Sequence, residues 1–212
     1  MTLLAMLRHG DTAWSRAGLI QGRTDTTLDA AARTHLTQRR LPDQAGGLRV
    51  VSSPLLRCLE TAQSLGLREV AKEPRIAEMS WGDWEGQRLH DLRTRLGDEM
   101  ARNESRGMDF MPPGGECPRQ VLQRVRPWLA DLAAADTPTL AICHRGVIRV
   151  VFASATQWDM TGRPPAKLDW TALHLFDVTP GGRVRVTQLN VPLVLRDRPF
   201  VAPGAAAAGA MP

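Results

Sequence analysis

Leu3-Leu4-Ala5-Met6-Leu7-Arg8-His9-Gly10-Asp11-Thr12 opens the chain and carries its first strong fold signal. An almost unbroken apolar run stops at a cation, an imidazole and a glycine. That is the pattern of a strand buried on both faces that delivers polar side chains to a sheet edge. In an open α/β sheet, ligands gather beyond the carboxyl ends of the strands, which puts His9 where chemistry is done. Gly10, lacking Cβ, permits a sharp turn and a close backbone approach to a ligand. On this stretch alone, a strand that merely surfaces at Arg8 is an equal alternative, because histidine fills many structural roles.

The arrangement recurs further on. Leu48-Arg49-Val50-Val51-Ser52 reads as a short buried strand, and Ser53-Pro54 as the capped first turn of the next helix. In that helix Leu55, Leu59, Ala62 and Leu65 share one face and Arg57 lies on another. Thr139-Leu140-Ala141-Ile142-Cys143 is a further buried strand, with His144-Arg145-Gly146 at its exit and a helix following from Val147 to Phe152. Strand, polar group, then helix predicts a three-layer α/β/α sandwich around a mostly parallel central sheet, with the site at the strands' carboxyl ends. Leu173–Val178 and Arg183–Leu189, flanking Pro180-Gly181-Gly182, predict an antiparallel hairpin.

Between these anchors the sequence is less regular. A helix is expected from Thr26 to about Arg40, capped by Thr27 or Asp29 and stopped by Pro42, and a third strand at Val70–Lys72. From Pro74 to Gly115 the chain makes an excursion expected to fold over the site as a lid. It holds a packed Trp- and Gly-rich loop at Trp81–Gly86 and a mobile stretch from Gly97 to Gly115. A helix begins at Cys117-Pro118, with Val121, Val125, Trp128 and Leu132 in a stripe and a kink or early break expected at Pro127. With no clear linker, residues 1–201 are expected to form one domain, followed by a disordered Ala/Gly/Pro tail at 202–212.

Composition narrows the classes of function. At 43% hydrophobic and 23% charged residues the chain is ordinary for a globular protein, and no apolar run is long enough to span a bilayer. Arg8 interrupts the first apolar run before a secretory signal is complete, so a cytoplasmic location without membrane partners is expected. The 3 cysteines, Cys58, Cys117 and Cys143, lack the spacing of a disulfide framework or zinc ribbon. The net charge of +5 is spread over scattered arginines rather than gathered in a basic block, which argues against nucleic acid and for a compact anion such as a phosphate.

Together Arg8-His9-Gly10, Ser52-Ser53-Pro54 with Arg57, and His144-Arg145-Gly146 would form a pocket of cations and two imidazoles, suited to a phosphoryl group and its charged transition state. These residues resemble the histidine phosphatase (phosphoglycerate mutase-like) superfamily. The resemblance runs through Leu7–Thr12, Ser52–Ala62, Glu78–Gly86, Pro113–Glu116 and His144–Arg149, in the family's order, and looks closest to the α-ribazole phosphatase (CobC-like) branch. It implies His9 as the nucleophile that becomes a phosphohistidine, Arg8, Arg57 and His144 as ligands of the phosphoryl oxygens, and Glu78 as proton donor and later base. It further implies substrate contacts from Gln21 and Gly22 in the first loop. Ser15, where the family usually has Asn, and Arg145, where a small residue is usual, fall at substrate-facing positions and depart from the pattern. Cys117 stands where related sequences tend to have Ser.

The expected activity is therefore a phosphomonoester hydrolase with a phosphohistidine intermediate, no cofactor or metal, and a phosphorylated small molecule as substrate. The alternatives are mutase-type phosphoryl transfer and a non-catalytic anion-binding protein, with oligomeric state left open. A metal on His9 and His144 is disfavoured because no acidic cluster accompanies them and the arginines would repel a cation. Asp83 and Glu85 are expected to be solvated loop carboxylates, His35 and His90 surface residues, and His174 a structural one. Trp81 and Trp84 could stack on a leaving group or simply pack the lid. Because one phosphoryl group must touch both imidazoles, His9 and His144 must lie within about 10 Å of each other.

Overall fold

A computed structural model of the chain describes residues 1–198 and 200; the expected tail at 202–212 lies outside the described residues. In order the elements are β1 (Thr2–Arg8), α1 (Ala13–Arg16), α2 (Ala30–Thr37), β2 (Arg39–Arg40), β3 (Arg49–Ser52), α3 (Leu56–Ser64), β4 (Ala71–Lys72), α4 (Leu89–Leu96), α5 (Asp98–Glu104), α6 (Pro118–Ala134), β5 (Thr139–Cys143), α7 (Arg145–Thr156), β6 (Leu173–Thr179), β7 (Arg183–Val191) and β8 (Val194–Leu195). Six strands form the central sheet in the order β4-β3-β5-β1-β6-β7. The first four run parallel, and β6 and β7 are antiparallel additions.

The apolar run of β1 is continuous because both its faces are covered. Leu4 and Met6 pack among Val121, Val125 and Leu129 of α6 and Val147, Ile148 and Val151 of α7. Ala5 and Leu7 face the other way, onto Leu28 and onto Ala32 and Leu36 of α2. Alternation along one strand thus fills two cores, which is what makes the fold a three-layer sandwich. Parallel pairing of Arg8 with Cys143, and of Ser52 with Ile142, brings the carboxyl ends of β1, β3 and β5 to one edge. Because β6 pairs antiparallel with β1, Leu173 lies beside Leu7, and the chain entering β6 arrives at that same edge.

Four local expectations need correction. The first helix is shorter than expected, spanning α2 only; Asp29 caps it by accepting the Ala32 N–H, and Arg39–Arg40 leave to pair with β8. Helix α3 begins at Leu56 rather than at Ser53-Pro54, and the Ser53 hydroxyl is used elsewhere. Helix α6 continues through Pro127 without a break. Pro127 lies on the exposed face, and the buried stripe on the opposite face holds the helix together. The stretch expected to be mobile, Gly97–Gly115, contains the regular helix α5 and a turn at Gly107–Asp109. Met100 of α5 buries with Trp84 and Leu92 as a small core belonging to the lid, and that gives the segment its order.

Candidate active site

His9 follows β1 directly and is held from two sides. Its backbone N–H donates to the Cys143 carbonyl at 3.0 Å, and its ring Nδ1 sits 2.7 Å from the Gly10 carbonyl. A carbonyl can only accept, so Nδ1 carries the proton and Nε2 keeps the lone pair. Burial first, then the charges of Arg8 and Arg57, hold this imidazole well below its ordinary pKa, against the opposing effect of the Gly10 carbonyl. The ring is therefore neutral at pH 7, with a nucleophilic nitrogen of fixed identity. Gly10 is pinned in turn, since its N–H donates to the Thr61 hydroxyl at 2.9 Å and that hydroxyl donates to the Arg57 carbonyl at 2.7 Å.

His144 caps the strand next door. Its ring centroid is 5.2 Å from that of His9 at an interplanar angle of 60°, so one phosphoryl group can reach both. Nε2 meets the Ser53 hydroxyl at 2.7 Å, with the Cys58 sulfur 3.4 Å away, which gives Ser53 and Cys58 their place as supports of this ring. Burial, His9 and Arg57, in that order, keep His144 neutral as well. The Cys58 thiol is fully buried and pushed far up in pKa by that burial, so it packs rather than reacts.

Arg57 is the largest fully buried side chain among the described residues. One Nη donates to the Thr24 carbonyl at 2.9 Å and the other to the Gly22 carbonyl at 2.8 Å, while Nε is buried with no hydrogen-bond partner. A buried guanidinium with an unmatched N–H is costly unless an acceptor completes it, and a phosphoryl oxygen is the acceptor whose charge fits. Arg8 is only lightly held, by Asp11 at 3.4 Å.

Glu78 comes from the chain just after the turn at Pro74–Ile76 and is 9% exposed. Its carboxyl accepts the Met79 N–H at 2.8 Å and the Gly146 N–H at 3.2 Å. Burial raises its pKa, although these two N–H groups and the charges of Arg57 and Arg124 pull the other way. Gly146 matters because a Cβ there would stand 2.4 Å from Glu78 Oε1, so the carboxyl occupies the space that a side chain would take.

The remaining predicted site residues divide. Gly22 supplies a carbonyl to Arg57, as noted. Gln21 accepts from the Thr26 hydroxyl at 2.9 Å, stiffening the same loop. Ser15 completes a capping box with Thr12 at the start of α1, and its hydroxyl lies 3.1 Å from Asp11. Arg145 turns its guanidinium onto the ring of Trp170, 4.8 Å from the centroid. His35 and His90 are exposed, and His174 is buried in β6. Trp84 is buried against Trp81 and Phe110, so its main work is packing the lid.

Two supports escaped the sequence reading. Glu85, expected to be solvated, is half-buried and receives the N–H groups of Arg23, Thr24 and Trp81 and the Thr24 hydroxyl, at 2.6 to 3.1 Å. Burial alone would raise its pKa, yet these hydrogen bonds outweigh it and hold the carboxylate below its ordinary value. Glu85 thereby ties the lid to the loop whose carbonyls grip Arg57. Arg124 of α6 donates to the carbonyls of Arg75 and Glu78 and to Glu116, which also accepts the Ser80 N–H at 2.9 Å. Among the described residues no three His, Cys, Asp or Glu side chains converge as a metal cage. No helix among them is long and apolar enough to cross a membrane.

Residues 4–191 match the family described as the histidine phosphatase superfamily, branch 1. The chain belongs to that superfamily. It is 30% identical over 189 residues to the glucosyl-3-phosphoglycerate phosphatase of Mycobacterium tuberculosis (strain CDC 1551 / Oshkosh), an alignment spanning 80% of this chain and 84% of the relative. A 2,3-bisphosphoglycerate-dependent phosphoglycerate mutase of Methylobacterium radiotolerans is 31% identical over 134 residues, 59% of this chain and 63% of the mutase. The solved complex of a mycobacterial glucosyl-3-phosphoglycerate phosphatase with VO3 superposes with a TM-score of 0.74 at 25% identity, covering 90% of this chain and all of the other. Phosphoryl transfer through a histidine, on a phosphorylated small molecule, is thus the chemistry of this histidine phosphatase family member.

Proposed function

We propose that this histidine phosphatase is a metal-independent phosphomonoester hydrolase in which His9 is the nucleophile. The observation that carries the reading is the hydrogen bond from His9 Nδ1 to the Gly10 carbonyl, because it leaves Nε2 as the one ring atom free to attack phosphorus. In the first step the Nε2–P bond forms as the bond from phosphorus to the leaving oxygen breaks. Glu78, whose pKa burial raises, in its protonated form gives the proton to that oxygen. The phosphorylated ring is an imidazolium, and the Gly10 carbonyl then faces the Nδ1–H that carries part of its charge. Arg8, His144 and the unmatched Nε of Arg57 hold the phosphoryl oxygens throughout. In the second step Glu78, now a carboxylate, takes a proton from water as its oxygen bonds to phosphorus and the P–N bond breaks, releasing phosphate and restoring His9.

Water is favoured over a second substrate as acceptor. A mutase must hold a further anionic group while excluding water. The alignment to the phosphatase also spans more of both chains than that to the mutase.

Phosphate release should be measured on p-nitrophenyl phosphate and a panel that includes 3-phosphoglycerate with its bisphosphorylated primer and α-ribazole 5′-phosphate, with and without a chelator. Hydrolysis indifferent to the chelator, and an acid-labile phosphoenzyme lost in His9→Ala, is the expected result. Rapid interconversion of phosphoglycerates with little phosphate release would establish a mutase instead. Binding of phosphate with no turnover of any panel member would leave only the anion-binding alternative.

A further inference from the structure

The Pro113-Gly114-Gly115-Glu116 stretch lies flat against the chain that follows Glu78. Asp83 donates its N–H to the Pro113 carbonyl at 3.0 Å, and Glu116 donates its own to the Ser80 carbonyl at 2.9 Å. Only glycine permits the approach. A Cβ on Gly115 would stand 2.6 Å from the Ser80 carbonyl oxygen, and one on Gly82, whose φ is +51°, would stand 2.1 Å from that of Pro113. The Glu116 carboxylate therefore comes to rest beside the segment that carries Glu78.

There it meets three elements of the site. It accepts the Ser80 N–H at 2.9 Å, the fork of Arg124 from α6 at 2.9 and 3.2 Å, and one Nη of Arg23 from the first loop at 3.3 Å. Burial would raise the Glu116 pKa, but the bonds from Arg124 and Ser80 and the charges of Arg124 and Arg23 outweigh it and keep the carboxylate ionised. Arg124 spends its other N–H groups on the main chain, donating to the Glu78 carbonyl at 3.1 Å and to the Arg75 carbonyl. One ion pair thus holds the chain before the acid, at the acid and after it. The two side chains are only 19% and 22% exposed, so water cannot readily replace either member.

The pair also acts as charge. Three guanidinium groups bear on the Glu78 carboxyl: Arg57 from α3, Arg124 from α6 and Arg145 from α7. The Cys58 and Cys143 thiols near it are held neutral by burial. Of the three cations Arg124 is the one that brings its own carboxylate, so Glu116 sets how much of that charge Glu78 feels.

We propose that Glu116 and Arg124 together are the positioning unit of the acid. Arg124 aims the segment that carries Glu78, and Glu116 fixes Arg124 while tying it, through Arg23, to the loop whose carbonyls orient Arg57. The proton donor and the phosphoryl ligand are then registered to each other by one ion pair. This rests on the hydrolase reading above and adds two residues that set where its acid stands.

The test measures kcat/KM against pH for glycerol 3-phosphate and p-nitrophenyl phosphate in Glu116→Gln, Arg124→Gln and Arg124→Lys. The alkyl phosphate needs a protonated Glu78 as its alkoxide leaves, so the basic limb of its profile follows that proton. Arg124→Gln removes a cation, the carboxyl becomes harder to ionise, and the limb should move to higher pH. Glu116→Gln leaves Arg124 without its counter-charge, and the limb should move to lower pH. Arg124→Lys keeps the charge but loses the fork, so the limb should stay while the alkyl rate still falls. In all three variants the alkyl substrate should lose about tenfold or more at the pH optimum, and the aryl substrate about threefold or less. Arg23 and Arg124 also help to keep His144 neutral, an effect confined to the acid limb.

A limb that stays in place in both Gln variants, or moves the same way in both, would mean packing alone and overturn the proposal, as would equal losses on the two substrates. If Arg124→Gln does not fold, the fall of the limb in Glu116→Gln against its constancy in Arg124→Lys decides. A wild-type protein that turns over no phosphomonoester fails the hydrolase reading by itself. In that case, and equally if glycerol 3-phosphate is no substrate, the pair is judged from the titration of the Glu78 carboxyl by 13C NMR, its resonance being the one missing in Glu78→Gln. That titration must move up in Arg124→Gln and down in Glu116→Gln, or the pair is wrong.

Discussion

Replacing Gly146 by alanine should separate folding from catalysis. The new Cβ would lie 2.4 Å from Glu78 Oε1 and 3.2 Å from its carboxyl carbon. Ordinary contact requires the carboxyl to retreat by roughly 1 Å. The obstacle is the far end of a flexible side chain, so the fold can yield cheaply. Alanine also favours the first turn of α7 over glycine by up to about 1 kcal/mol. Catalysis is less forgiving, because the displaced carboxyl gives up its 3.2 Å bond from the Gly146 N–H and its aim at the leaving oxygen. A misplacement of about 1 Å costs on the order of 100-fold in rate. The loss should fall on alkyl phosphates, whose alkoxide must be protonated as it leaves. p-Nitrophenyl phosphate, with a stable phenolate, should lose about tenfold or less. The assay is kcat/KM for both substrates beside a thermal melt of the same preparation. An unchanged or raised Tm with a selective loss on the alkyl substrate is expected. Equal losses on both substrates, or none, would refute the placing of Glu78 as acid.

Glu78→Gln should show the same selectivity more severely, since it removes the proton rather than moving it; kcat/KM on the two leaving groups measures this. Arg57→Ala should reduce kcat/KM by at least about 100-fold and lower stability by roughly 3 kcal/mol in urea titration, since the Gly22 and Thr24 carbonyls lose their donors. Glu85→Gln should lower kcat/KM and Tm together, because an amide places donors against the N–H groups of Arg23, Thr24 and Trp81, and rescue of activity without rescue of Tm would contradict that coupling. His9 and His144 both have depressed pKa values in the folded state. The unfolded chain therefore takes up protons first as the pH falls below about 6.5, and these two imidazoles lower stability below that point with a slope of up to about 2.7 kcal/mol per pH unit, to which His174, likewise depressed by burial, adds up to about 1.4. Protonation of Glu78, whose folded pKa is raised, opposes this at lower pH. Urea titrations from pH 7.5 to 5 should show the decline, and His144→Asn should flatten it.

The layered fold was legible because burial on two faces leaves a mark that does not depend on partners. Leu4 and Met6 on one side of β1 and Ala5 and Leu7 on the other force an apolar run, and the run ends where the sheet ends. Where the expectations failed, the deciding interaction came from outside the local segment. Of the two expected caps Asp29 is the one used, and the helix opens only at Ala30 rather than at Thr26, Leu28 just before it donating its N–H to Glu60 of α3 at 2.7 Å. Order in Gly97–Gly115 comes from Met100 meeting Trp84 and Leu92. The sequence there, rich in polar residues and glycine, carries no periodic stripe strong enough to announce that small core.

The site was legible to the extent that its parts are side chains of distinctive chemistry at strand exits. Arg8, His9 and His144 belong to that set, with Arg57 in the first turn of α3 just beyond β3, and the 5.2 Å between the two rings follows directly from the β1–β5 register. What stayed hidden is the part made of backbone. Arg57 is aimed by two carbonyls, His9 by one, and the carboxyl of Glu78 by two N–H groups. Any residue has such groups, so their positions leave no compositional trace. Glu85 was misjudged for the same reason: its partners are chiefly main-chain N–H groups of a loop 60 residues away in sequence. A carboxylate that gathers main-chain donors in this way fixes the loop, the loop fixes Arg57, and Arg57 helps hold His9 neutral. The reactivity of the proposed nucleophile therefore depends on a residue that never touches it, and Glu85→Gln should move the acid limb of the pH–rate profile as well as its height.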